Sequence, residues 1–343
     1  MATVKPVGYA VIGLGGFAQR AILPGFRHSK KAKLVALVSG DRAKVKRLAT
    51  KFGAEASYTY EELPACLSLP QVEAVYIATN NGSHAHYAVH AANAGKHVLC
   101  EKPMANSVEE CRQMLAACRA SNVRLMIAYR KYFEPASREL KKLITSGKLG
   151  RLKYIHSAFG IVIRARGQAG AWHLDPKLSG GGSLPDVGVY CVNTIRWLVG
   201  ADPLEASAYQ WTTDPETFSQ VDENIAFRLN FPQGIVAQAT SSFRAAESSF
   251  LQVNGEGGWA CLNPAYQYDL ERCMFGEIAG RWFEKRFKVT DELALELDAF
   301  ADSIRRGRDP EPNGVQGMRD MAVMEAIYQS AREGRAVAIT LPE

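Results

Sequence analysis

Three groups of residues in this chain have the types and spacing to do chemistry. The first is Gly13-Leu14-Gly15-Gly16-Phe17-Ala18, which directly follows the apolar run Gly8-Tyr9-Ala10-Val11-Ile12. Read as G-x-G-x-x-A in a strand-to-helix turn, Gly13 allows the tight backbone and Gly15 lets a pyrophosphate approach the main chain. Ala18 lets the helix pack closely on the strand. The helix start supplies N–H groups and a partial positive charge for phosphates. The second group is Glu101-Lys102-Pro103. A residue before proline is held out of the helical region, so the Lys102 amine projects from a constrained position. A plain surface lysine in a turn would leave Glu101 unexplained. The third group is Asp186 and Tyr190, four residues apart. If Asp186 opens a helix, the two share one face. Asp186 reads equally as a first-turn residue that the helix dipole favours.

These residues need elements to carry them. Leu34 to Val38 reads as a second strand, ending at Ser39-Gly40-Asp41-Arg42. Folds that bind NAD usually place an acidic residue at that strand end. Here Ser39, Gly40, Arg42 and Lys44 offer a hydroxyl and two cations, which suit a 2′-phosphate and point to NADP. Arg42 and Lys44 also read as the solvated start of the next helix. Val72 to Thr79 is a third strand, and Thr79, Asn80 and His84 fall at its carboxyl end, the edge where open α/β sheets bind ligands. His84 is a cofactor contact or a cap partner on this reading. Ala85 to Ala94 is helical and stops at Gly95. His97 to Cys100 is a fourth strand, delivering Glu101 and Lys102 to the same edge. Arg124 to Ala128 is a fifth, ending in Tyr129 and Arg130. Five strands alternating with helices predict a doubly wound parallel sheet over residues 1–130.

Residues 131–343 predict a second, α+β domain. Pro135 to Ser146 reads as a helix and Tyr154 to Ile163 as a strand. The glycine-rich loop Ser179 to Ser183 leads into the helix of Asp186 and Tyr190. Short β-type segments follow: 204–211, 224–231, 235–242, 250–253, 259–262, 266–271 and 281–287. They read as a large, mostly antiparallel open sheet. Asp291 to Arg306 and Val315 to Glu333 are amphipathic and are expected to return onto the first domain or the sheet.

Composition removes several function classes. The 343 residues carry a net charge of +6, too modest and too dispersed for a nucleic-acid surface. No apolar run approaches a membrane span. Only a few residues precede the first strand, so a cytoplasmic protein is expected, or a periplasmic one if a leader was removed. The seven cysteines are scattered without a C-x-x-C pair, which argues against a disulfide scaffold and against a metal site.

Taken together, AVIGLGGFAQ at 10–19, AGKHVLCEKPMA at 94–105 and GGGSLPDVGVYCVN at 180–193 resemble the Gfo/Idh/MocA oxidoreductase family. The likeness runs over essentially the whole chain and is strongest to its glucose–fructose and aldose–aldose oxidoreductase branch. It implies a Rossmann domain followed by an open-sheet domain, and it implies NADP through Ser39 and Lys44. Much of the family has His where Tyr190 stands; this branch has Tyr. It also implies a homodimer through the open sheet of 204–289, whose uncovered face needs a partner. Oxidising a sugar hydroxyl requires hydride transfer to the nicotinamide and loss of the hydroxyl proton. Tyr190 is the expected acid and base. A free tyrosine ionises near pH ~10, so the Lys102 ammonium is expected to favour its phenolate and to stabilise developing alkoxide charge. Asp186 would hold Lys102 and balance its charge. Tyr129, Arg130, Trp172 and His173 are candidates for sugar or nicotinamide contacts, with Trp172 either a stacking platform or core. The branch implies a tightly held cofactor reduced by one sugar and reoxidised by another. Alternatives left open are a dehydrogenase that exchanges its cofactor, an NAD-dependent glycosidase relative, and a non-catalytic nicotinamide-binding sensor.

Overall fold

The structure, a computed structural model, describes residues 5–163, 168–246 and 248–342. It divides into two compact units: Met1–Arg130 with Asp291–Met318, and Lys131–Thr290 with Arg319–Glu343. The second unit is therefore not one continuous run from 131 to 343, because 291–318 belongs to the first.

In the first unit the strands are β1 (Val7–Ile12), β2 (Ala32–Val38), β3 (Ala56–Tyr58), β4 (Ala74–Ile77), β5 (His97–Cys100) and β6 (Leu125–Ile127). They form one sheet in the order β3-β2-β1-β4-β5-β6, and every pair is parallel. The sequence predicts five strands and the structure has six. The extra one, β3, is a half-buried edge strand of three residues, too short to show a period. β1 and β4 are buried at every position, as strands covered on both faces must be. The strand order reverses between β1 and β4, the place where such sheets take ligands beyond their carboxyl ends. Gly13 follows β1 with φ +96°, and a Cβ there would lie 2.6 Å from the carbonyl of Ala78. Only glycine fits that turn. The helix Glu292–Arg306 begins at Asp291, whose side chain accepts from the Leu293 and Ala294 N–H groups. It buries Leu293, Leu297 and Phe300 and packs on the short helix Leu23–His28.

The second unit holds β7 (Leu152–Gly160), β8 (Glu205–Trp211), β9 (Asn224–Asn230), β10 (Val236–Ser242), β11 (Ser249–Gly255), β12 (Gly258–Asn263), β13 (Arg272–Ile278), β14 (Arg281–Phe287) and β15 (Val337–Ala338). Their order is β14-β13-β12-β11-β7-β10-β9-β8-β15. Only β7 and β10 pair in parallel, so the sheet is mostly antiparallel, as its alternating pattern predicts. One segment differs. Residues 266–271 are not a strand; the strand is Arg272–Ile278. Asp269 takes φ +61°, which an extended strand does not hold, and the Ser249 hydroxyl accepts from the Ala265 and Tyr266 N–H groups. These bonds tie the backbone into a loop. The helices Val189–Val199 and Pro135–Thr145 pack on the sheet, the first on β7 and the second on β12 and β13. The registers place Tyr154, Tyr209 and Trp282 on one common face, and all three are exposed. Among the described residues no helix is long and apolar enough to cross a membrane.

Candidate active-site elements

Because β1, β2, β4, β5 and β6 run parallel, every candidate residue that follows one of them lies at the same sheet edge. Gly15 and Gly16 are exposed, and a Cβ on Gly15 would meet nothing within 4 Å. That open backbone beside a buried Ala18 fits a phosphate approaching a helix start. Phe17 precedes a π-helical turn, Ala18–Ile22, which runs into the α-helix Leu23–His28.

At the end of β2, Ser39 is buried, and its N–H donates to the Tyr58 carbonyl. Gly40 is exposed with the Tyr60 ring close by. Asp41 caps the next helix: its carboxylate accepts from the Lys44 N–H at 2.9 Å. The acid nearest in sequence is thus occupied in a cap, and the residue at the strand end itself is a serine. Arg42 donates to Glu62 at 2.5 Å from an exposed position. An exposed pair of this kind is worth little, so the guanidinium is available to a stronger anion. These features fit a 2′-phosphate.

Beyond β4, Thr79 and Asn80 are half-buried and lead into the turn Asn81–Ser83. The Ser83 hydroxyl donates to the Asn80 side chain at 2.9 Å. His84 is fully buried, with Nδ1 2.9 Å from the Pro103 carbonyl. A carbonyl only accepts, so Nδ1 carries the proton. Burial lowers the His84 pKa to about 4, and the ring is neutral at ordinary pH. His84 therefore reaches the site by holding the turn after Lys102. On the other side of that turn Glu101 is buried, accepting from the Tyr76 hydroxyl at 2.8 Å and from the Lys102 N–H at 3.2 Å. Lys102 itself is half-buried. Past β6, Tyr129 and Arg130 are buried, and Arg130 makes a 2.5 Å ion pair with Glu292.

In the second unit, Asp186 lies in a π-helical turn, Leu184–Gly188, that continues into the α-helix of Tyr190. Such turns recur at functional sites. From Leu184 to Tyr190 only Asp186 is not buried. Its carboxylate is 3.6 Å from Nδ1 of His173, which is the charge partner seen within this unit. The His173 ring lies against Trp172, tilted by 31° with ring centroids 3.9 Å apart. Trp172 is half-buried and so is not a closed core residue. Tyr190 sits edge-on to Phe159 at 5.6 Å.

Sequence reasoning missed the group that holds this helix in place. Asp222 is buried and accepts from Gly182 N–H at 2.7 Å, Ser183 Oγ at 2.8 Å, Leu184 N–H at 2.8 Å and Tyr328 Oη at 2.5 Å. A Cβ on Gly182 would lie 1.9 Å from the Asp222 carbonyl oxygen, which explains that glycine. No local signal marks Asp222, since it lies 39 residues from the serine it binds. Among the described residues no group of three or more His, Cys, Asp or Glu could hold a metal.

Residues 7–129 match the profile of the Gfo/Idh/MocA oxidoreductase family, NAD-binding Rossmann fold, and residues 141–339 match its C-terminal alpha/beta domain. The chain is 31% identical over 340 residues to D-xylose 1-dehydrogenase [NADP(+)] of Haloarcula marismortui, covering 98% of this chain and 94% of that one. It is 27% identical to 1,5-anhydro-D-fructose reductase of Ensifer adhaerens, covering 96% and 98%. Among solved structures, aldose-aldose oxidoreductase from Caulobacter crescentus, complexed with glycerol, superposes with a TM-score of 0.93. It is 36% identical, covering 98% of this chain and 100% of that one.

Replacing Asp222 by Ala leaves four donors without their acceptor. Thermal unfolding should show a loss of about 3 kcal/mol or more, whereas Tyr328→Phe should cost only about 1 kcal/mol. Equal, small losses for both would show that Asp222 does not carry the loop.

Proposed function

This chain belongs to the Gfo/Idh/MocA oxidoreductase family, and on that premise we propose that it is an NADP-dependent sugar oxidoreductase. It transfers hydride between the anomeric carbon of an aldose and NADP, yielding an aldonolactone. A tightly bound cofactor is then recycled by reducing a second sugar to an alditol. The observation that carries this reading is the presentation of Lys102 at the carboxyl edge of the parallel sheet. Buried Glu101 and buried His84 hold the two sides of its turn. The NADP-dependent relative and the aldose-aldose neighbour support the cofactor and the substrate class.

The residues that would hold the cofactor are Gly13, Gly15, Gly16, Phe17 and Ala18 for its phosphates, and Ser39, Gly40, Arg42 and Lys44 for the 2′-phosphate. Thr79, Asn80, Glu101, Lys102, Arg130 and Trp172 complete the set. When bound, NADP supplies the hydride acceptor and donor. Tyr190 removes the sugar hydroxyl proton and returns it in the reverse direction. Lys102 donates a hydrogen bond to the reacting oxygen and offsets its negative charge. Asp186 and His173, within ion-pair distance of each other, orient the sugar, and Tyr129 lines its approach. The exposed face bearing Tyr154, Tyr209 and Trp282 is the contact with a second copy of the chain, since an uncovered sheet face of this kind needs a partner.

The absorbance of dialysed protein, recorded before and after adding glucose or xylose, tests the cycle. A reduced-nicotinamide band without added cofactor, bleached by a second sugar, is expected. Activity only when NADP is supplied would replace the recycling step with ordinary dehydrogenation, as in the D-xylose relative. Bound nucleotide that no sugar reduces would refute the oxidoreductase. Tyr190→Phe should lower turnover about 10²–10⁴-fold with NADP affinity unchanged; near-normal turnover removes Tyr190 from the chemistry. Arg42→Ala should weaken NADP binding about tenfold and leave NAD binding unchanged, which titration of both nucleotides reads directly. Sedimentation of Tyr209→Glu should show a monomer where the parent is a dimer, and a monomeric parent would refute that contact.

A further inference from the structure

The helix Glu292–Arg306 turns Leu293, Leu297 and Phe300 into the core of the first unit, and Glu296 lies within the same stripe. It is fully buried. Its Oε1 lies 3.1 Å from the Tyr76 hydroxyl, and its Oε2 has no hydrogen-bond partner among the described residues. The same Tyr76 hydroxyl lies 2.8 Å from Glu101 Oε1, and Glu101 Oε2 accepts from the Lys102 N–H. Two carboxyl groups therefore meet on one phenol.

A phenol has a single proton to donate. If both carboxyls were ionised, one of them would face the Tyr76 oxygen lone pairs with no proton between, and all three groups are buried. One carboxyl must supply that proton itself. The surrounding charges decide which. Arg130 forms its ion pair with Glu292. Burial raises the Glu101 carboxyl too, but the Lys102 ammonium, the Tyr76 hydroxyl and the Lys102 N–H act against that shift. Among the described residues Glu296 forms no ion pair, and it faces Tyr9 of β1, Tyr76 of β4, Glu101, Arg130 and Glu292. Burial and the neighbouring Glu101 push its carboxyl well above the usual carboxylate range. Two carboxyls that share one contact keep a proton between them.

We propose that Glu296 is a neutral carboxylic acid that donates to the Tyr76 oxygen, so that Tyr76 donates to ionised Glu101 and Glu101 positions Lys102. Glu296 is a positioning residue. It touches no substrate and acts through three hydrogen bonds in series on the backbone of the lysine. The role of Lys102 rests on the proposed function; the protonation of Glu296 does not.

The test is infrared spectroscopy of the intact protein together with pH–rate profiles. The wild-type protein should show the carbonyl stretch of a protonated carboxyl persisting across neutrality. That band should be absent from Glu296→Gln and present in Glu101→Gln. Glutamine keeps an N–H donor toward Tyr76, so Glu296→Gln should retain the parent pH profile with kcat within about twofold. Glu296→Leu and Tyr76→Phe should shift the profile and lower kcat about tenfold with little change in KM, the effect of losing one such hydrogen bond. The absence of the band from wild-type protein, or its loss in Glu101→Gln instead, overturns the proposal. A protein that keeps the band and reduces no sugar would sink the proposed function and leave the neutral Glu296 standing.

Discussion

The carboxylate of Asp222 fixes the glycine-rich loop and the start of the helix that follows it. It gathers two backbone N–H groups, a serine hydroxyl and a tyrosine hydroxyl in a buried place. A buried carboxylate is costly unless its lone pairs are satisfied, and here four donors satisfy them. Gly182 follows from this, because any side chain there would strike the Asp222 backbone. So does the start of the helix that carries Asp186 and Tyr190. With that end pinned, the helix is buried from Leu184 through Tyr190 except at Asp186, and one carboxylate is left accessible on an otherwise covered surface.

The first unit meets a comparable demand with a different device. Its parallel sheet buries β1, β4 and β6 throughout, so side chains can reach a ligand there only from the turns at the strands' carboxyl ends. Lys102 sits in one of these turns, and the turn is held by groups that never reach the surface: His84 through the Pro103 carbonyl, Tyr76 through Glu101. The Arg130–Glu292 pair is buried as well. Buried pairs of this type contribute little net stability but are expensive to leave half-made, which favours a single arrangement. Rigid supports behind a lysine suit a reaction that needs its charge at one oxygen.

The end of β2 shows how a specificity feature is built from a local choice. Asp41 is spent as a helix cap, Ser39 at the strand end is buried, and Gly40 and Arg42 beside it are exposed. Arg42 is held only by an exposed partner.

Much was legible in the sequence. Apolar strands followed at once by Gly13–Ala18, Ser39–Lys44, Thr79–Asn80, Glu101–Lys102 and Tyr129–Arg130 place these groups on one edge of a parallel sheet, because strand and turn are adjacent in the chain. The alternating segments of residues 204–287 announce the second sheet for the same reason, although the loop at 266–271 read as a strand until Ser249 and a positive φ at Asp269 decided otherwise. Glu296 is not singled out in the sequence, where Asp291 to Arg306 reads only as an amphipathic helix. What only the tertiary structure decided is the set of supports. Asp222 meets its serine across 39 residues, and Tyr76 meets Glu296 across 220. Contacts between positions so far apart impose no period and no spacing on the chain. Hydrogen-bond satisfaction inside a packed interior chose them.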